Sequence, residues 1–235
     1  MADLRTSPIE IVGQIEWSSN FTFLVQFDNG ERAIYKPQQG EQPLWDFPPA
    51  LFRREIAAYR LSRALGWPNI PEIVERGDDA PHGVGSLQRF VDADFREHYL
   101  SLRDLSLRDA TLQDNNDHGD SSRAIALFDI LCNNADRKSG HVLLGNDGQL
   151  YAIDNALTFH VEPKLRTVIW DFAGETIPDA LLEDVRRIAL DLPSELTELL
   201  ESTEIDALLE RARAILATAV FPQPSGDHPF PWPLV

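Results

Sequence analysis

LCNNADRKSGHVLL, residues 131–144, decides how this chain is read. An apolar run stops at Asn133 and Asn134, Asp136, Arg137, Lys138 and His141 follow, and the chain then turns apolar again. A surface loop needs only turn-forming residues. Two signs of charge and a histidine between apolar segments point instead to chemistry at the junction of two buried elements. Upstream, SRAIALFDILC (122–132) is apolar nearly all round, which predicts a buried helix. Asp129 interrupts it, either to hydrogen-bond the loop or to cap a neighbouring backbone N–H. Downstream, HVLLGNDGQLYAID (141–154) predicts a hairpin around Asn146, Asp147 and Gly148 that ends in Asp154.

Asp136 and Asp154 make a pair of carboxylates on consecutive elements. Phosphoryl transfer uses two: one takes or orients the proton of the acceptor hydroxyl, the other ligates Mg²⁺ on the phosphates. The amides of Asn133 and Asn134 could supplement the oxygen ligands, and Lys138 would set a cation on the moving group. A helix-ending polar loop with an unrelated turn aspartate is the plain alternative.

FTFLVQFDNGERAIYKP (21–37) predicts a second hairpin, with Asn29-Gly30 as a two-residue turn. That turn would set Phe23 opposite Lys36 and put Lys36 on the face of Phe23, Val25 and Ile34. IEIVGQIEW supplies a preceding strand, joined through Ser18, Ser19 and Asn20, whose backbone and hydroxyls could cradle a phosphate. PPALFRREIAAYRLSRALGWP (48–68) predicts a helix started at the prolines and stopped at Gly66. Glu55 on that helix could meet Lys36, as in kinase-like folds that hold ATP phosphates. Gln88 to Asp92, Phe90 among them, would connect two lobes where backbone groups could meet adenine.

The remaining features bound the function. The chain has 235 residues, 43% of them hydrophobic, enough for one large domain or two small lobes. Its 38 acids against 21 bases give a net charge of −17, which argues against nucleic acid and anionic lipid as partners. No apolar run approaches a membrane span, no signal-peptide pattern opens the chain, and one cysteine, Cys132, permits no internal disulfide. A cytoplasmic location is expected. LQDNNDHGDSS (112–122) reads as a polar loop, and His118 in it lacks EF-hand spacing. Residues 178–219 read as helical with a break at Pro193, and a tail with five prolines follows. The order of elements predicts an α+β fold with a small β-rich first lobe (1–91) and a mostly helical second lobe (92–235).

YKPQQGEQPLWDFPPALFRREIAAYRLSRALGW, NNADRKSGHVLL, AIDNALTFH and KLRTVIWDFAGE together resemble a bacterial family. Its catalytic region is similar to phosphatidylinositol 3-/4-kinases and, more distantly, to HipA-type kinases. The resemblance covers roughly residues 10–175 and implies a two-lobed kinase-like fold with ATP in the cleft. It implies Lys36 on phosphate, Glu55 as its ion-pair partner, Asp136 as the catalytic-loop carboxylate and Asp154 as the magnesium ligand. Two departures stand out. His141 occupies the position of a metal-binding asparagine and Lys138 that of a histidine. Asn155 and Ala156 stand where the family shows His-Gly. His141 would suit Mn²⁺ better than Mg²⁺, or Asn134 would serve in its place. Lys164 and Arg166 follow Asp154 where an activation segment would lie and could bind an anionic acceptor.

The expectation is therefore an ATP- and Mg²⁺-dependent phosphotransferase acting on a hydroxyl of a small polar molecule or a protein. Phospholipid is disfavoured by the acidic surface. The alternatives are a non-catalytic nucleotide-binding module and AMP transfer on the same fold.

Overall fold

The computed structural model describes residues 1–16, 18, 20–77, 79–108 and 117–235. Its first part is a five-stranded antiparallel sheet in the order β1-β2-β3-β5-β4. The strands are β1 (Glu10–Gln14), β2 (Phe23–Gln26), β3 (Arg32–Pro37), β4 (Ile73–Arg76) and β5 (Gly85–Arg89). Helix α1 (Leu51–Leu65) follows β3 and ends at Gly66, which holds a left-handed backbone (φ 90°). A second sheet, β6-β7-β8, joins β6 (Ala93–His98) to the hairpin β7 (Val142–Gly145) and β8 (Leu150–Ala152). Around it lie α2 (Tyr99–Arg108), α3 (Asp117–Cys132), α4 (Asp179–Leu190), α5 (Ser194–Leu199) and α6 (Ser202–Thr218). Among the described residues no helix is long and apolar enough to cross a membrane.

The β2–β3 register differs by one residue from the expected one, and the difference moves Lys36. Phe23 pairs with Tyr35, and Val25 with Ala33. The loop has three residues: Phe27 donates its N–H to the Glu31 carbonyl at 2.9 Å, and Gly30 donates to the Phe27 carbonyl at 2.9 Å. Gly30 alone takes the left-handed conformation (φ 84°), whereas a two-residue Asn-Gly turn would require Asn29 to take it too. Asn29 instead accepts the Glu31 N–H through its side chain at 3.0 Å. A one-residue slip exchanges the faces of a strand. Phe23, Val25, Ala33 and Tyr35 therefore build a small core on one face with Val74 and Leu87. Lys36, opposite Ser86, and Ile34, opposite Gln88, lie on the other face, toward α1.

The larger core runs through both sheets' surroundings. Phe52, Ile56 and Leu61 of α1 pack in one cluster with Phe128 and Leu131 of α3 and Val185 and Leu208 of α4 and α6. A buried Arg54–Glu204 ion pair ties α1 to α6. Thus α1 is anchored to the helical half, and Glu55, fully buried on it, has a fixed position.

Three elements had no sequence expectation: β4, β6 and α2. Residues 117–122, expected as loop, form the first turns of α3, while 112–116 lie outside the described residues. Asp120 stands in the first turn of that helix, where an acid is favourable. The proline-rich tail is irregular and packs back on the molecule. The Pro229 carbonyl accepts from the Thr167 N–H (3.1 Å) and the Trp170 indole (3.1 Å), and the Leu234 carbonyl accepts from the Ser139 N–H (2.8 Å).

Candidate active site

Lys36 joins the two halves. Its Nζ donates to Glu55 Oε1 at 2.6 Å and to Asp154 Oδ1 at 2.9 Å. Glu55 is held in turn by the Ser86 hydroxyl, which donates to Oε2 at 2.8 Å from the strand beside Lys36. Burial pulls the Lys36 ammonium down, but the Asp154 and Glu55 carboxylates outweigh it and raise it above its ordinary range. Burial pushes Asp154 up, yet Lys36, with His141 and Lys138, holds it well below the usual carboxylate range. Asp154 itself has a left-handed backbone (φ 54°), a conformation that aspartate tolerates better than most residues. The preceding residue is fixed by two bonds: Ile153 N–H to the His141 carbonyl (2.9 Å) and Arg137 Nη1 to the Ile153 carbonyl (2.8 Å).

The loop after α3 explains Asp129. Arg137 and Asp129 are both completely buried, and Arg137 Nε donates to both carboxylate oxygens at 3.1 Å. Arg137 Nη2 donates to Asp129 Oδ1 (2.9 Å) and to Asn155 Oδ1 (2.6 Å), and the Thr167 hydroxyl donates to Asp129 Oδ2 (3.1 Å). Burial raises the Asp129 pKa, and Arg137, Thr167 and Asn134 oppose that rise. This network braces the loop that carries Asp136 and Lys138, whose side chains stay partly exposed. Ser139 adds a lateral anchor: its Oγ accepts the Leu100 N–H at 2.8 Å.

Asp136 and Lys138 are 3.2 Å apart, each more than two-thirds buried. Burial pushes the Asp136 carboxyl up to about 6, against the pull of Lys138, with Asp154 adding to the rise. A carboxylate of that basicity can accept a proton near neutral pH. His141 lies between the two aspartates. Its Nδ1 is 3.0 Å from the Asp136 carbonyl oxygen and its Nε2 is 3.3 Å from Asp154 Oδ2. Burial lowers its pKa to about 4; Asp154 opposes this and Arg137, Lys138 and Lys36 add to it, so the ring is neutral at pH 7.

The other residues singled out from sequence are placed less centrally. The Asn134 amide is consumed inside the loop: Nδ2 donates to Asp129 at 3.0 Å and Oδ1 accepts the Asp136 N–H at 3.0 Å. With 1% of its surface exposed, it braces the loop and is not presented to a metal. Asn133, left-handed at φ 55°, likewise spends its side chain on the backbone of residues 160, 162 and 164. Ser18 bonds to Thr22, and Asn20 accepts the Gln42 N–H at 2.8 Å, which sets this turn beside the chain leaving β3. Ser19 lies outside the described residues. Gln88 is buried on the Lys36 face of the sheet, and its Oε1 has no hydrogen-bond partner among the described residues. Phe90 stacks under the Arg32 guanidinium, 4.3 Å from its ring centre.

Other residues complete the site. Ser86 and Asp46 were not singled out, and Arg137, one of the loop charges, gave no sign of its burial against Asp129; Lys164 donates to Asp46 at 3.0 Å and so ties residues 160–166 to the chain before α1. A usable signal did exist. The chain contains three lysines, Lys36, Lys138 and Lys164, and all three pair with aspartate at or beside this site.

No protein-family model matches the chain. Among solved structures, the Golgi casein kinase superposes with a TM-score of 0.59 at 18% identity, over 92% of this chain and 73% of that one. The Helicobacter pylori proinflammatory kinase CtkA superposes with a TM-score of 0.55 at 11% identity, over 93% and 94%. A Golgi casein kinase structure with Mn/ADP bound gives 0.53 at 16% identity. The fold is therefore kinase-like. Protein Rv2133c of Mycobacterium tuberculosis is 39% identical across 99% of this chain and 94% of its own length. At that identity and coverage, the chain belongs to the family of Protein Rv2133c.

Proposed function

We propose that this chain is a phosphotransferase that moves the γ-phosphoryl group of ATP to a hydroxyl of a small polar molecule or a protein. One observation carries the reading: Lys36 bonds at once to a buried helix carboxylate and to Asp154, the acid that follows the hairpin after Asp136 and Lys138. A kinase-like site needs these groups in this order. Residues 1–91 would bind nucleotide and 92–235 would carry the reacting loop.

The residues present suit a nucleotide. The unpartnered Gln88 oxygen is a buried acceptor on the Lys36 face, and the amino group of adenine would supply its donor. Lys36 would hold phosphate oxygens, and Asp154 would hold a divalent cation. That cation offsets phosphate charge when bound. Mg²⁺ is the usual ion; Mn²⁺ is the other candidate. Asp136 takes the proton of the acceptor hydroxyl. The acceptor oxygen bonds to the γ-phosphorus as the bond to the β,γ-bridging oxygen breaks and ADP leaves. Lys138 lies against Asp136, where it can balance charge on the transferred group.

The kinship to phosphatidylinositol 3-/4-kinases and HipA rests on motif order. The −17 charge still speaks for a soluble acceptor over phospholipid, and one fully buried cysteine suits a cytoplasmic protein. His141 in place of a metal-binding asparagine favours a second reading, nucleotide binding without turnover. Asp136→Asn tests both. It should keep ATP binding and lose transfer by about 10²- to 10⁴-fold. Full transfer in the variant removes the role of Asp136. Wild-type binding with no labelled product selects the second reading, and intact mass separates added phosphate from added AMP.

A further inference from the structure

We infer that His141 is a direct ligand of the divalent cation and makes the site prefer a first-row transition-metal ion, such as Mn²⁺ or Co²⁺, over Mg²⁺. The inference rests on the phosphotransferase reading and deepens it. His141 Nδ1 has two backbone neighbours, the Asp136 carbonyl oxygen at 3.0 Å and the Lys138 nitrogen at 3.4 Å; the carbonyl can only accept and is the nearer, which puts the ring proton on Nδ1. The Nε2 lone pair then points at Asp154 Oδ2, 3.3 Å away. A lone pair and a carboxylate oxygen at that distance repel each other unless they share a cation. Asp154 Oδ1 is already taken by Lys36, so Oδ2 is the oxygen left for the ion.

The spacing suits shared ligation. Two ligands at right angles and ~2.1 Å from one ion stand about 3.0 Å apart, so a few tenths of an ångström of adjustment closes the pair. The Asp136 carbonyl on the far nitrogen is the outer-shell partner that metal-binding histidines usually have, fixing both tautomer and ring direction. It also joins the ion to the peptide of the candidate base. The ring is held by the 3-10 turn Ser139–His141 and is mostly buried, at 15% side-chain exposure. Mg²⁺ takes oxygen ligands, whereas imidazole suits first-row transition ions. Among the described residues no third His, Cys, Asp or Glu completes a cluster. The remaining positions fall to phosphate oxygens and water, and the ion should bind together with nucleotide.

The test uses the full chain with ADP and Mn²⁺. Electron spin-echo envelope modulation should show ¹⁴N coupling from a bound imidazole, lost in His141→Asn. Calorimetry should show the preference for Mn²⁺·ADP over Mg²⁺·ADP falling about tenfold in that variant. Mn²⁺·ADP binding without ¹⁴N coupling overturns the inference alone and leaves a neutral His141 whose Nε2–H donates to Asp154. The wild-type spectrum decides this even if the variant does not fold. Absence of any ADP binding removes the phosphotransferase reading and this inference together.

Discussion

The two faces of residues 133–141 are built on opposite rules. Behind the loop, Asp129, Asn134, Arg137, Asn155 and Thr167 are buried, and none of their side-chain polar atoms lacks a partner. In front, Asp136, Lys138, His141 and Asp154 are partly open, and their charges are set against one another. Asp136 is pushed up to about 6 while Asp154 is held below the ordinary carboxylate range. Pairs of acids driven apart in this way are the mark of divided acid–base roles. The saturated rear holds the strained front in place. The left-handed backbones of Asn133 and Asp154 sit at the two seams between them.

The comparison breaks most completely at Arg137. Arg137→Ala leaves the Asp129 carboxylate buried without its cation, and should cost about 3–5 kcal/mol. Urea unfolding should show the midpoint falling by the corresponding amount. A loss under about 1 kcal/mol would mean that the rear network is not the scaffold. Titration sharpens the contrast next. Asp136 has a raised folded pKa, so between about pH 4 and pH 6 the folded state keeps a proton that the unfolded chain releases, and stability falls as pH rises. His141 has a lowered folded pKa, so between about pH 4 and pH 6.5 the unfolded chain holds the extra proton, and stability rises with pH. The two nearly cancel in the intact protein. Asp136→Asn should therefore gain stability with rising pH relative to wild type, and His141→Asn should lose it, each by about 2–3 kcal/mol across the window. Parallel pH curves for all three proteins would refute the opposed pair. The smallest effect is expected at Ser86. Ser86→Ala removes one donor from buried Glu55 and should cost about 1–3 kcal/mol, with Lys36 still holding the other oxygen. Thermal unfolding reads that change, and a loss equal to that of Arg137→Ala would erase the ranking.

Much of this site was legible because its parts sit at element boundaries. Apolar runs fixed α1, α3 and the β7–β8 hairpin, and the charges that interrupt them are the ones that meet in space. Lys36 does reach Glu55, but the strand face was misjudged, because Asn-Gly suits both two- and three-residue loops and only the backbone angle at Asn29 decides between them. The rear network was hidden for a different reason. Asp129, Arg137, Asn155 and Thr167 meet across separations of 8 to 38 residues, and no periodicity encodes that meeting. Asn134 looked like a ligand by chemistry and proves a brace by position. The docking of Pro229 and Leu234 on the loop's surroundings was likewise invisible in a tail whose sequence shows only its five prolines.

The central claim is that Lys36, Asp154 and Asp136 form one nucleotide site, and calorimetric titration of ATP with Mn²⁺ into wild type and Lys36→Met tests it most directly. Binding to wild type should be saturable, and weakened at least about tenfold in the variant by loss of the charge-assisted contact to phosphate. No heat of binding to wild type at millimolar nucleotide, or equal affinity in the two proteins, would contradict it.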